Sequence, residues 1–357
     1  IYKITVINHA FFTVSKDFKL ESTDKDADFE KFFPNSEGWN QDQLRGHIGE
    51  YKYYKSKYPN VKVLISVGGW TRGENFHDMS KTKENRKIFS DSIIDFLKKY
   101  PFIDGIDIDW EYPGENREKD PNDEYDKGCP GGPEDKENFT LLLTALRDVL
   151  GDEAWISVAG TGEASYINNV QIAEIAPIIN YFNLMAYDFT AGETGATAGR
   201  HQANLYPSDL SLNNMTSVDN QVQNLMNAGM PSEKILMGLP FYGRYGAINT
   251  RTFDELRKNY INKNGYTVRW DNIAKAPYIV DPDGDFAYSY DNLLSIYFKG
   301  LYVIENCLGG LFAWQSGMDK ANILAQGMSQ AIRSPEVLED LLAKAYYQAL
   351  EAQGQQT

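Results

Sequence analysis

Cysteine is almost missing from this 357-residue chain, which has only Cys129 and Cys307. Two such residues build no disulfide framework and no Cys-based zinc site, and free thiols are expected rather than a bridge. Histidine is nearly as scarce, and His9, His47, His77 and His201 show no metal-ligand spacing along the sequence. No stretch approaches the ~18 apolar residues of a membrane-spanning helix, and no signal peptide opens the chain. Basic charge is in deficit: a formal net charge of −15 and a pI near 4.8 argue against nucleic acid or an anionic membrane as partner. A neutral polysaccharide is compatible with that balance. Neither a phosphate loop nor a Ser-His-Asp order stands out, and no internal repeat or low-complexity segment is present.

Aromatic residues are plentiful, at 13% of the chain with 23 Tyr and 6 Trp. Flat rings can stack on sugar faces, although core packing uses most aromatics in any protein. More specific is the run Asp104-Gly105-Ile106-Asp107-Ile108-Asp109-Trp110-Glu111-Tyr112-Pro113-Gly114. Side chains alternate across a strand, so Asp107, Asp109 and Glu111 share one face about 6 to 7 Å apart, while Ile106, Ile108 and Trp110 share the other. Neighbouring carboxylates in a poorly solvated site cannot all ionise, and one pKa is pushed upward, the way a Glu comes to hold a proton and act as a general acid. An EF-hand-like cation loop needs a different ligand spacing. Asp104 has the opposite parity and is expected to cap or brace the strand.

Short β-branched or aromatic runs alternate with amphipathic stretches, the βα pattern of a parallel sheet. Strands are expected near Ile4–Phe12, Val61–Val67, Phe102–Trp110, Trp155–Gly160, Phe182–Tyr187, Ile235–Phe241 and Gly310–Trp314. Helices are expected over Arg86–Lys99, with Ile88, Phe89, Ile93, Phe96 and Leu97 apolar, and over Phe139–Leu150. Polar groups gather at the C-terminal strand ends, where α/β barrels place their active sites. These are Ser66-Val67-Gly68-Gly69-Trp70, Glu111, Met185-Ala186-Tyr187-Asp188, Pro240-Phe241-Tyr242-Gly243-Arg244 and Phe312-Ala313-Trp314-Gln315. Between Arg244 and about Glu305 the pattern breaks into short Tyr-rich runs, as in a small α+β insertion. The stretch Glu336–Ala352 carries Val337, Leu338, Leu341, Leu342, Ala345, Tyr346 and Leu350 at helical spacing, as expected of a helix closing the fold.

The spacing Asp-x-x-Asp-x-Asp-x-Glu at Asp104, Asp107, Asp109 and Glu111, continued as Trp-Glu-Tyr-Pro-Gly, resembles glycoside hydrolase family 18, in particular its chitinase branch. The resemblance implies an α/β fold, a TIM (β/α)8 barrel over residues 1–244 and 306–333. An α+β chitinase insertion domain would follow over 245–305 and a C-terminal helix over 334–357. Members open with a strand carrying a Gly-Tyr-Tyr type segment ahead of Val6-Ile7-Asn8-His9-Ala10-Phe11, so the first barrel strand is expected to be absent from this chain, either because the chain is an excised portion or because upstream residues are supplied elsewhere.

The resemblance also gives roles by position. Glu111 would be the general acid and base. Asp109 would hold the acetamide N–H, Asp107 would share a proton with Asp109, and Tyr187 would bond the acetamide oxygen. Trp314 would floor the cleavage subsite. Asp188 and Met185 match positions near the acetamide pocket, with core packing an equal reading for Met185. Trp70, Tyr112, Tyr242 and Arg244 would line the cleft, and Phe11 matches a family aromatic that core packing explains equally well. Ser66, Gly68 and Gly69 would let the chain pass close under the acids, or simply turn it. Chitin or a chitooligosaccharide is the implied substrate, with no metal or organic cofactor, and secretion is implied by that substrate. The competing readings are an endo-β-N-acetylglucosaminidase acting on N-glycans and a non-catalytic chitin-binding lectin.

Overall fold

Three runs of matching composition, Ile65-Ser66-Val67, Ile106-Asp107-Ile108 and Ile156-Ser157-Val158, become adjacent in one parallel sheet, like residue beside like. The structure is a computed structural model that describes residues 4–35, 43–121, 123–247 and 249–354. The chain divides into two compact units, one ending at Phe182 and the other beginning at Asn183.

The first unit alternates strand and helix: β1 (Val6–Val14), β2 (Leu20–Ser22), α1 (Gly46–Lys57), β3 (Lys62–Gly68), α2 (Phe76–Lys81), α3 (Lys83–Lys99), β4 (Gly105–Asp109), α4 (Asp135–Leu150), β5 (Trp155–Gly160), α5 (Ala164–Asn169) and α6 (Ile172–Ile175). Strands β1, β3, β4 and β5 lie side by side and parallel, and β2 pairs antiparallel with β1. Helices cover both faces of such a sheet, so its strands can be apolar throughout. Ile65, Val67, Ile106, Ile108, Ile156 and Val158 are accordingly all buried. Helix α3 starts at Lys83, three residues before the expected Arg86, because Thr82 caps it by accepting from the Asn85 N–H. Its Phe89 and Ile93 are buried, but Ile88, expected on the apolar stripe, is exposed.

Strand β6 (Tyr181–Leu184) runs from the first unit into the second. The second unit continues with α7 (Val218–Asn227), β7 (Ile235–Pro240), β8 (Tyr242–Tyr245), β9 (Asn249–Thr252), α8 (Phe253–Asn259), β10 (Thr267–Asp271), β11 (Ala276–Val280), β12 (Phe286–Ser289), α9 (Leu293–Glu305), β13 (Gly310–Trp314), α10 (Ile323–Arg333) and α11 (Pro335–Gly354). Strand β13 is parallel to β7. All seven expected strands are present. Five strands of the second unit form an antiparallel sheet in the order β10-β11-β12-β8-β9. Its first strand in the chain, β8, starts at Tyr242, just after β7 ends at Pro240, and pairs with β9 and β12.

The last helix forms as expected, with Leu338 buried and Leu342 packed on a core of Phe241, Leu256, Ile296 and Leu324. Val337 and Leu341 face solvent instead. The side chains of Tyr346 and Leu350, and residues 355–357, lie outside the described residues. Both cysteines are free thiols. Among the described residues, no helix is long and apolar enough to cross a membrane.

Candidate active site

Alternation along β4 sorts the acidic run as its sequence requires. Ile106, Ile108 and Trp110 are buried, with the Trp110 ring stacked on Phe76 at 5.3 Å and edge-on to Phe139 at 5.8 Å. Asp107 and Asp109 have the opposite parity and are also buried. The strand stops at Asp109, short of the expected Trp110, so half-buried Glu111 stands in the turn just beyond it.

The parallel register sets Ser66, Asp107 and Ser157 side by side on β3, β4 and β5. Each serine donates its hydroxyl to one oxygen of the Asp107 carboxylate, both at 2.6 Å. Asp109 is treated differently, since its Oδ1 is buried with no hydrogen-bond partner. Burial, followed by the charges of Glu111 and Asp107, pushes the Asp109 carboxyl well above the usual range. Asp109 is therefore a strongly raised acid within this run.

Close approach explains the two glycines that end β3. Gly68 has φ +114°, and a Cβ there would lie 2.1 Å from the Asp109 carbonyl oxygen. Gly69 has φ +84°, its N–H donates to that same carbonyl at 2.8 Å, and a Cβ would strike the Phe11 ring. Phe11 thus lies against the turn that supports the acids. Asp104 braces β4, accepting from Lys55 Nζ at 2.5 Å, Lys62 Nζ at 3.3 Å and the Val63 N–H at 2.8 Å.

After Glu111 the chain passes a cis peptide to Tyr112, whose ring meets Tyr166 edge-on at 5.8 Å. Burial and the charges of Glu111 and Asp109 push the Tyr112 hydroxyl well up. The Tyr166 hydroxyl is raised by the same three causes. The following turn is pinned by buried Asp135, which accepts from the Gly114 and Gly132 N–H groups at 3.1 and 3.0 Å and pairs with His77 Nδ1 at 2.7 Å. Trp70 is 48% exposed, with the Arg117 guanidinium 3.9 Å over its ring. Arg117 bonds both oxygens of Asp126. Against the cost of burial, Arg117 and the N–H groups of Asp120 and Gly128 hold the Asp126 carboxyl down at about 2.

In the second unit Asp188 is the centre of a separate group. Its backbone is left-handed at φ +63°, an uncommon state for any residue with a Cβ. Its Oδ1 accepts from the Tyr242 hydroxyl at 2.8 Å and from Arg244 Nε at 2.7 Å. Tyr242 is buried, and burial, then Asp188 and Tyr187, push its hydroxyl well up. The Tyr187 ring stands edge-on to Tyr242 at 6.4 Å and to Phe312 at 6.2 Å. Met185 and Trp314 are half-buried, and the Trp314–Gln315 peptide is cis.

Within the first unit the structure gathers Asp107, Asp109, Glu111 and Tyr112, with Phe11 against the Gly69 turn. Within the second it gathers Tyr187, Asp188, Tyr242 and Arg244. Ser157, Tyr166 and Asp135 escaped the reading of the sequence. Ser157 had a usable signal, a lone polar residue in Ile-Ser-Val that repeats Ile65-Ser66-Val67.

A model described as glycosyl hydrolases family 18 matches residues 1–319. Chitinase A1 of Niallia circulans is 34% identical over 323 residues, covering 80% of this chain and 44% of that protein. The chain thus spans less than half the length of that relative. Chitinase 1 of Aphanocladium album is 30% identical over 343 residues, covering 89% of this chain and 76% of the relative. Among solved structures, the chitinase domain of the spore coat protein CotE from Clostridium difficile is 49% identical, with a TM-score of 0.60. That match covers 95% of this chain and 89% of the other.

Proposed function

The chain belongs to family 18 of the glycosyl hydrolases, and we propose that it cleaves β-1,4 bonds between N-acetylglucosamine units in chitin or chitooligosaccharides. The observation that carries this reading is Asp109, a carboxyl with a buried, unpartnered oxygen, raised first by burial and then by the charges of Glu111 and Asp107. A two-carboxylate retaining glycosidase uses an ionised acid as nucleophile, whereas this family uses the substrate's own acetamide. A carboxyl kept off its charge suits the second route.

Glu111 donates its proton to the leaving glycosidic oxygen as the acetamide carbonyl oxygen attacks the anomeric carbon. Asp109 holds the acetamide N–H, and as the positive oxazolinium ion forms, the proton it shares with Asp107 moves toward Asp107, so that the charge left on Asp109 stabilises the ion. Glu111, now a carboxylate, takes a proton from water as the water opens the ring with overall retention. Tyr187 bonds the acetamide oxygen and fixes the angle of attack. Trp314 floors the cleavage subsite, with Met185 and Asp188 at the acetamide pocket. Trp70, Tyr112, Tyr242, Arg244 and Phe11 line the sugar path. The architecture we assign is the (β/α)8 barrel with an α+β insertion, and an extracellular polymer implies secretion.

The test is hydrolysis of chitotetraose and of a high-mannose N-glycan in parallel, with products and anomers resolved, for wild type and Glu111→Gln. The expected result is chitobiose released as the β-anomer by wild type alone, with oligosaccharide binding retained in the variant. Cleavage only of the N-glycan would move the assignment to an endoglycosidase. Binding by wild type without hydrolysis would make it a lectin.

A further inference from the structure

The four histidines show no metal-ligand spacing in sequence, yet folding brings two of them onto one carboxylate. His9 lies in β1, Asp28 in the single helical turn Asp26–Glu30 and His47 in the first turn of α1. His9 Nε2 is 2.9 Å from Asp28 Oδ1, and His47 Nδ1 is 3.6 Å from the same oxygen. The three atoms all lie within 4.8 Å of one another, the one such grouping among the described residues. We propose that His9, Asp28 and His47 form a binding site for a divalent transition-metal ion of the zinc class.

Distances and donor types both support the assignment. With metal–ligand bonds of about 2.0 to 2.2 Å, ligand atoms around a tetrahedral zinc stand roughly 3.3 Å apart. The two separations given above bracket that value. Two imidazoles with one carboxylate suit zinc and its neighbours, whereas magnesium and calcium take oxygen donors.

The surroundings orient the ligands as a metal site requires. His9 Nδ1 is 2.8 Å from the Tyr51 hydroxyl, which leaves Nε2 as the ligating nitrogen. Ser22 donates its hydroxyl to Asp28 Oδ2, so Oδ1 remains directed at the two rings. The His47 ring stacks on Phe33 at 5.0 Å, fixing its plane.

A simple His–Asp hydrogen bond accounts for His9 and Asp28 but engages His47 poorly. His47 Nδ1 is buried, pairs with the carboxylate only through a long 3.6 Å contact and has no closer hydrogen-bond partner. A metal ion between these atoms would satisfy it. The His47 side chain is 41% exposed, which gives an ion a way in, and three protein ligands leave a fourth position for water. The bound ion would tie β1, the Asp26–Glu30 turn and α1 together and stabilise the fold by mass action.

The test uses the full chain, stripped with chelator and dialysed, then titrated with zinc chloride by calorimetry and with cobalt chloride by visible absorption. One Zn2+ per chain is expected, with a raised melting temperature that magnesium does not reproduce, and with the visible bands of tetrahedral cobalt. His47→Ala, at a half-exposed position, should melt like the metal-free wild type yet bind zinc more weakly by about 100-fold or more, and Ser22→Ala should weaken it by roughly 10-fold. No stoichiometric binding to wild type, or equal binding by His47→Ala, would overturn the assignment. Neither readout depends on sugar hydrolysis, so failure of the glycosidase reading would leave this result intact.

Discussion

Asp107 and Asp109 are two residues apart on one strand and share one face, but their neighbours give them different chemistry. Asp107 has a serine on each side, while Asp109 has Gly68 beside it and a buried oxygen without a partner. Removing one serine should leave a buried carboxylate oxygen short of a donor. Ser157→Ala is therefore expected to cost about 1.5 to 3 kcal/mol, read as a lower denaturant midpoint at unchanged slope. A midpoint equal to wild type would show that the hydroxyl adds nothing. Asp188 is the second unit's counterpart, holding Tyr242 and Arg244 on one oxygen. Asp188→Asn keeps the size but removes the charge that Arg244 meets, and kcat/KM on chitotetraose should fall about 10-fold or more. Asp107 and Asp109 could be picked out because acids inside an apolar strand are conspicuous. Ser157 was harder to single out, since its Ile-Ser-Val pattern gains chemical meaning only when the register sets it beside Asp107.

At the level of elements, the close approach of β3 and β4 depends on Gly68. Gly68→Ala would combine a left-handed backbone with a Cβ only 2.1 Å from the Asp109 carbonyl. A loss of about 3 kcal/mol or more is expected, with poor soluble yield or a sharply lower melting temperature, and near-wild-type melting would refute it. Strand positions were readable because β-branched runs between polar turns have few other uses. Their ends were less readable. Helix α3 begins where Thr82 caps it, and β4 ends before Trp110 although apolar character continues, because Trp110 is buried by Phe76 and Phe139 rather than by strand pairing.

For the whole molecule, stability should carry the signature of Asp109. Its folded-state pKa lies above the ordinary 3.8, so the native state binds more protons than the unfolded chain between the two values. Stability from this group is therefore highest at low pH and falls as pH rises from about 4 to the folded pKa. Urea unfolding of wild type against Asp109→Asn should show the variant gaining relative stability over that window. A difference that stays flat with pH would mean that Asp109 is not held neutral. Asp126 acts in the opposite sense. Its folded pKa of about 2 stabilises the protein above 3.8, and that contribution is lost as pH falls toward 2.

The sequence by itself determined the strand and helix pattern, the shared parity of Asp107 and Asp109, the bracing part of Asp104 and the family. These follow from local periodicity and from residue types that are costly anywhere except in a functional site. Tertiary structure alone decided that Ser157 would stand beside Asp107, that burial would raise the Asp109 carboxyl, and that Tyr166 would meet Tyr112 edge-on. It also decided that His9, Asp28 and His47 would converge. Such facts depend on register and on contacts between residues far apart in the chain, and electrostatic cost depends on what surrounds a charge rather than on its neighbours in sequence.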